Sequence, residues 1–86
     1  MAKKLKESVS ETLKKIRVSQ NISQEELADR ADLDRTYISG VERGIRNITL
    51  ESLESIVNGL GIELSEFIDL LKIDITAADE SSNNNR

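Results

Sequence analysis

The sequence contains no Cys and no His, so the usual zinc ligand sets, thiolate nucleophiles and histidine triads cannot be built. Carboxylate pairs do occur, at Glu25-Glu26 and at Glu63 with Glu66. They fall at helix caps or on helix surfaces with no other reactive group beside them, so general acid–base catalysis is not expected. What remains is hydrogen bonding by cations, hydroxyls and amides, and it concentrates between residues 35 and 47. At about 100° per residue, Ile38, Val41, Glu42 and Ile45 project to the inner side of a helix. Thr36, Gly40 and Arg43 lie opposite, flanked by Arg35, Tyr37 and Ser39. An ordinary solvated helix in a chain of net charge −4 would show Glu and Lys; this one shows donors, hydroxyls and a Gly. Gly within a helix costs about 0.5–1 kcal/mol relative to Ala, which points to a backbone that comes close to another surface.

The elements that must position this face are helical. With one Phe and one Tyr and no Trp, the core comes from Leu, Ile, Val and Ala, and no segment alternates with period two. Leu5, Val9, Leu13 and Ile16 form the stripe of a first helix over roughly 8–20, closed by Asn21, a residue that tolerates the left-handed conformation. Ser23 and Glu26 have capping-box spacing, and Ile22 can meet Leu27 as a hydrophobic staple. The same grammar recurs at Leu33-Asp34 with Ile38, and at Ile48-Thr49 with Leu53. Gly44 closes the third helix, Gly59 or Gly61 the fourth, and Ser65 caps a last helix that contains Phe67, Ile68, Leu70, Leu71 and Ile73.

Two short helices, over 24–31 and 35–43, are thus joined by Asp32-Leu33-Asp34, which is the geometry of a helix-turn-helix. Ala28 and Ala31 permit close approach, and Leu27, Leu33, Ile38 and Val41 fill the angle. A generic helical hairpin would want the same packing.

Charge is unevenly placed: residues 1–20 sum to +4, 21–33 to −3, 34–47 to +1 and 48–86 to −6. One face could therefore meet a polyanion although the whole chain is acidic. No apolar run is long enough for a membrane span or a signal h-region, so the expected location is the cytoplasm. The tail over 77–86 lacks apolar residues to offset its ordering and is expected to be disordered, leaving 1–76 as one domain.

The string "SQEELADRADLDRTYISGVERG" resembles the helix-turn-helix of the lambda-repressor-like (Cro/repressor) family, with Gln24, Leu27, Ala28, Leu33, Ile38, Ser39, Glu42 and Gly44 at family spacing. The longer "LDRTYISGVERGIRNITLESL" is similar to restriction-modification controller proteins. Asp32 departs from the family, whose turn often has a left-handed Gly, but Asp tolerates that conformation. The resemblance implies an all-α, five-helix lambda-repressor-like fold and a non-enzymatic transcription regulator on double-stranded DNA, with no metal or cofactor.

Carried over residue by residue, the resemblance assigns Arg35, Thr36, Ser39 and Arg46 to base edges. Gln24, Tyr37, Arg43 and Asn47 go to the DNA backbone. It pairs Arg17 with Glu42 as a partly buried ion pair, leaving Arg17 donors over for a phosphate. It also implies a homodimer through the last helix, whose apolar residues exceed one stripe; Leu64, Phe67, Leu70, Leu71 and Ile73 are the assigned interface. The competing use of the second apolar face is contact with the N-terminal segment around Leu5. RNA polymerase is a further candidate partner. The alternatives are a phage-type repressor or antitoxin-like regulator of the same fold, or a helical protein-interaction module without DNA binding.

Overall fold

The computed structural model describes residues 4–83, with side chains described through Ala77. Within them the chain forms five helices: α1 Leu5–Ser19, α2 Gln24–Ala31, α3 Arg35–Glu42, α4 Leu50–Gly59 and α5 Leu64–Asn83.

Local chemistry sets most of the boundaries. Asn21 (φ 59°) and Asp32 (φ 57°) take the left-handed conformation that reverses the chain after α1 and α2, a conformation Asn and Asp adopt more readily than other residues with a Cβ. Gly44 (φ 74°) and Gly61 (φ 72°) do the same after α3 and α4. The hydroxyl of Ser23 accepts from the Glu26 N–H at 3.0 Å, and that of Thr49 accepts from the Ser52 N–H at 3.0 Å, each satisfying a backbone donor that the helix cannot. The capping box at α2 is only half made, because Glu26 turns to Arg30 one turn on, at 3.0 Å. The last helix begins one residue before Ser65, with the Phe67 N–H bonding the Glu63 carbonyl at 3.0 Å. Its backbone continues helically through Asn83, past the boundary drawn at Ala77 from composition. No Gly or Pro stands in its path, and Ala77-Ala78 is a strong helix-forming pair. Residues 84–86 of the expected tail lie outside the described residues.

The core gathers Val9, Leu13 and Ile16 from α1, Leu27, Ala28 and Ala31 from α2, and Ile38 and Val41 from α3. Ile56, Val57 and Leu60 come from α4 and its end, and Phe67 from α5. The left-handed turn after α4 falls to Gly61, while Gly59, the last residue of the helix, lets α4 press on α2: a Cβ there would stand 3.2 Å from the Ala31 backbone nitrogen. The end of α1 meets the end of α4 through the Gln20 amide, which donates to the Leu60 carbonyl at 2.7 Å. Lys15 pairs with Asp74 at 3.2 Å, so α5 runs back along α1.

Two expectations need correction here. Leu5, assigned to the apolar stripe, is exposed, because α5 covers α1 nearer its middle than its first turn. Phe67, assigned to a dimer interface, is 1% exposed; a side chain already enclosed by its own chain has no surface left for a partner.

Candidate nucleic-acid interface

The exposed face of α3 is held from behind by a polar cluster. The Glu42 carboxylate, only 3% exposed, accepts from Arg17 Nε at 2.6 Å and from Arg17 Nη2 at 3.0 Å. It also accepts from Gln24 Nε2 at 3.0 Å. Arg17 Nη1 donates to the Ile22 carbonyl at 2.7 Å. One buried anion thus ties α1, the start of α2 and the end of α3 together, and its three donors satisfy it where desolvation would otherwise be costly. The Arg17–Glu42 pair is the one the resemblance implies. The Gln24 contact was not legible, since nothing local links residues 18 apart in sequence.

This arrangement changes what Gln24 and Arg17 can offer a phosphate. One amide N–H of Gln24 is committed to Glu42, and the other remains for an anion. Arg17 is mostly buried, with three of its donors engaged, so its principal work is holding Glu42. Between the starts of α2 and α3 lies an open cleft of about 420 Å³, lined by Arg17, Ser23, Gln24, Glu25 and Arg35. Arg35 and Gln24 therefore border one surface. Glu25 on its rim tempers the anion attraction of the helix N-terminus.

On α3 itself, Arg35 and Thr36 are exposed, Ser39 is half-buried and Arg43 is exposed at the helix end. The Thr36 hydroxyl donates to the Asp34 carboxylate at 2.6 Å. Asp34 occupies the N-cap position without making a side-chain capping bond.

The segment after α3 folds back on it. Both the Ile45 and Arg46 N–H groups bond the Gly40 carbonyl, at 3.0 and 3.2 Å. The Arg46 guanidinium lies 5.8 Å from the centroid of the Tyr37 ring, within cation–π range, and the Tyr37 hydroxyl donates to the Asn47 carbonyl at 3.3 Å. A Cβ at Gly40 would overlap Cγ of Arg46. The surface that comes close to Gly40 is therefore this chain's own loop, which corrects the reading of Gly40 as bare backbone awaiting another molecule. Ile45, projected inward, is 65% exposed, because helical projection ceases to apply once Gly44 reverses the chain.

The family model described as Helix-turn-helix matches residues 13–67. The chain belongs to this helix-turn-helix family. Within it the chain is similar to Control protein C.BamHI of Bacillus amyloliquefaciens, 45% identical over 62 residues that cover 71% of this chain and 76% of that protein. Control protein C.MunI of Mycoplasma sp is 53% identical over 62 residues, covering 70% of this chain and 84% of that protein. The fold matches the crystal structure of the wild-type restriction-modification controller protein C.Esp1396I with a TM-score of 0.84 at 44% identity, covering 86% of this chain and 97% of that one. C.Esp1396I also has a crystal structure as a tetramer in complex with its natural 35 base-pair operator. The all-α, five-helix reading of the sequence holds. In this helix-turn-helix, the second helix of the motif is α3, and it carries the exposed Arg35, Thr36 and Arg43.

Proposed function

We propose that this chain is a sequence-specific DNA-binding transcription regulator, acting as a homodimer on a pseudo-palindromic operator and controlling restriction-modification genes. The observation that carries the proposal is the division of α3: Ile38 and Val41 are buried and Glu42 is anchored to Arg17, while Arg35, Thr36 and Arg43 face outward. Arg35 suits a bidentate contact to guanine O6 and N7, with Thr36 and Ser39 reading beside it and Arg46 reaching a base edge from its seat on Tyr37. Gln24, Arg43 and Asn47 hold the DNA backbone, and Tyr37 supports them by fixing the loop.

The dimer buries α5. Leu64, Leu70 and Ile73 are exposed, Leu71 is half-buried, and an apolar groove of about 360 Å³ between α1 and α5 runs past Leu70 and Ile73. Pairing two copies would set two α3 helices about 34 Å apart, one turn of the duplex. The regulator works in the cytoplasm without enzymatic chemistry, occupying a promoter or, when bound beside one, contacting RNA polymerase.

The test is fluorescence anisotropy on the duplex upstream of its own gene across a salt series. Affinity is expected to fall steeply with salt, with a logarithmic slope of about 0.9 per phosphate neutralised. No binding, or a flat salt response, defeats the proposal.

A further inference from the structure

At the N-terminus of α3, Asp34 stands where a capping residue normally accepts a backbone N–H, yet its side chain makes no such bond. It accepts instead from the Thr36 hydroxyl, at 2.6 Å. A threonine hydroxyl has one hydrogen and two lone pairs. With that hydrogen committed to an ionised carboxylate, in a short charge-assisted bond, only lone pairs face outward. Both residues are exposed, so in water the bond exchanges freely with solvent. Inside a groove from which water is excluded, it strengthens and the hydroxyl loses its rotational choice.

In the major groove, hydrogen-bond donors are the amino groups of adenine and cytosine; guanine O6 and thymine O4 are acceptors. Every base pair carries one amino and one keto group there, on opposite strands. A hydroxyl able only to accept therefore selects which strand carries the amino group.

We infer that Asp34 is a specificity-determining positioning residue: by holding the hydroxyl proton of Thr36 it makes Thr36 an obligate acceptor, which selects adenine or cytosine over guanine or thymine at one position in each half-site. The inference rests on the DNA-binding reading above.

The experiment is selection by the full chain from a randomised duplex pool, followed by base-resolved affinity measurements, for the wild type, Asp34→Ala, Thr36→Val and the double variant. The wild type is expected to show one position per half-site with an amino-over-keto preference on the order of tenfold, as one satisfied against one opposed hydrogen bond gives. Asp34→Ala and Thr36→Val should each reduce it to about threefold or less, with preferences elsewhere in the site intact. In the Thr36→Val background, Asp34→Ala should change that position no further. Asp34→Ser, which supplies an ordinary N-cap but releases Thr36, gives the same result and keeps the test open if Ala loosens the helix. The inference is overturned if Asp34→Ala and Asp34→Ser leave the preference in place. It is equally overturned if no position responds to Thr36→Val, or if Asp34→Ala still alters base choice without the Thr36 hydroxyl. Failure of the wild type to select any sequence would instead remove the DNA-binding reading itself.

Discussion

Arg46 lies across Gly40, its Cγ filling the space that a Cβ on Gly40 would take. The stem of an arginine thus serves as the roof of a helix whose opposite side is in the core. Its guanidinium extends over Tyr37. Gly40→Ala gains about 0.5–1 kcal/mol of helix propensity but must displace Arg46 close to its backbone. We expect thermal stability to stay within about 1 kcal/mol of wild type, since overpacking offsets the gain, while DNA affinity drops as Arg46 is unseated. Adding Arg46→Ala removes the collision, and the double variant should melt above Arg46→Ala alone. If Gly40→Ala raises stability equally in both backgrounds, the packing of Arg46 on Gly40 has no energetic weight.

The Arg17–Glu42 pair predicts an order of damage. Arg17→Ala leaves a carboxylate that is 3% exposed with only the Gln24 amide, and should cost about 3–5 kcal/mol in urea unfolding. Glu42→Ala should cost less, because Arg17 is longer, 12% exposed, and can carry its charge to water. Equal losses, or the reverse order, would show that the pair is not the anchor of α3.

Reading and positioning separate at Arg35 and Gln24. Arg35→Ala should cost about 1–3 kcal/mol on the preferred operator and relax one base pair per half-site. Gln24→Ala should weaken binding similarly across single-base operator variants, since a phosphate contact carries no direct sequence information. Because Gln24 also bonds Glu42, its loss should lower the melting temperature as well, whereas Arg35→Ala should not. A panel of operator variants measured alongside thermal melts distinguishes the two; unchanged base preferences in Arg35→Ala would remove it as a reading residue.

Core and interface divide along α5. Phe67→Ala should cost about 3–5 kcal/mol of stability at any protein concentration, the usual penalty for an emptied aromatic site. Leu70→Glu and Ile73→Glu should leave a folded monomer with weak operator binding, read by sedimentation at micromolar concentration and circular dichroism. If both glutamate variants remain dimeric, the interface lies off this face of α5.

The sequence by itself determined the helices and turns of the motif. Ser23 and Thr49 cap, Asn21 takes a left-handed turn, and Ile38 and Val41 turn inward, because each depends on backbone chemistry and side-chain spacing within a turn or two of chain. Projection also separated Arg35, Thr36 and Arg43 from the core for the same reason. Tertiary structure alone decided that Phe67 is core while Leu70 and Ile73 are surface, since apolar residues on one helix differ only in what packs against them. It alone turned Ile45 outward and brought Arg46 over Gly40, because the left-handed Gly44 breaks the helical register on which projection depends. The placing of the Gln24 amide on Glu42 is of the same kind. A buried carboxylate takes its donors from whichever segments the fold delivers, and no short-range pattern in the chain encodes that delivery.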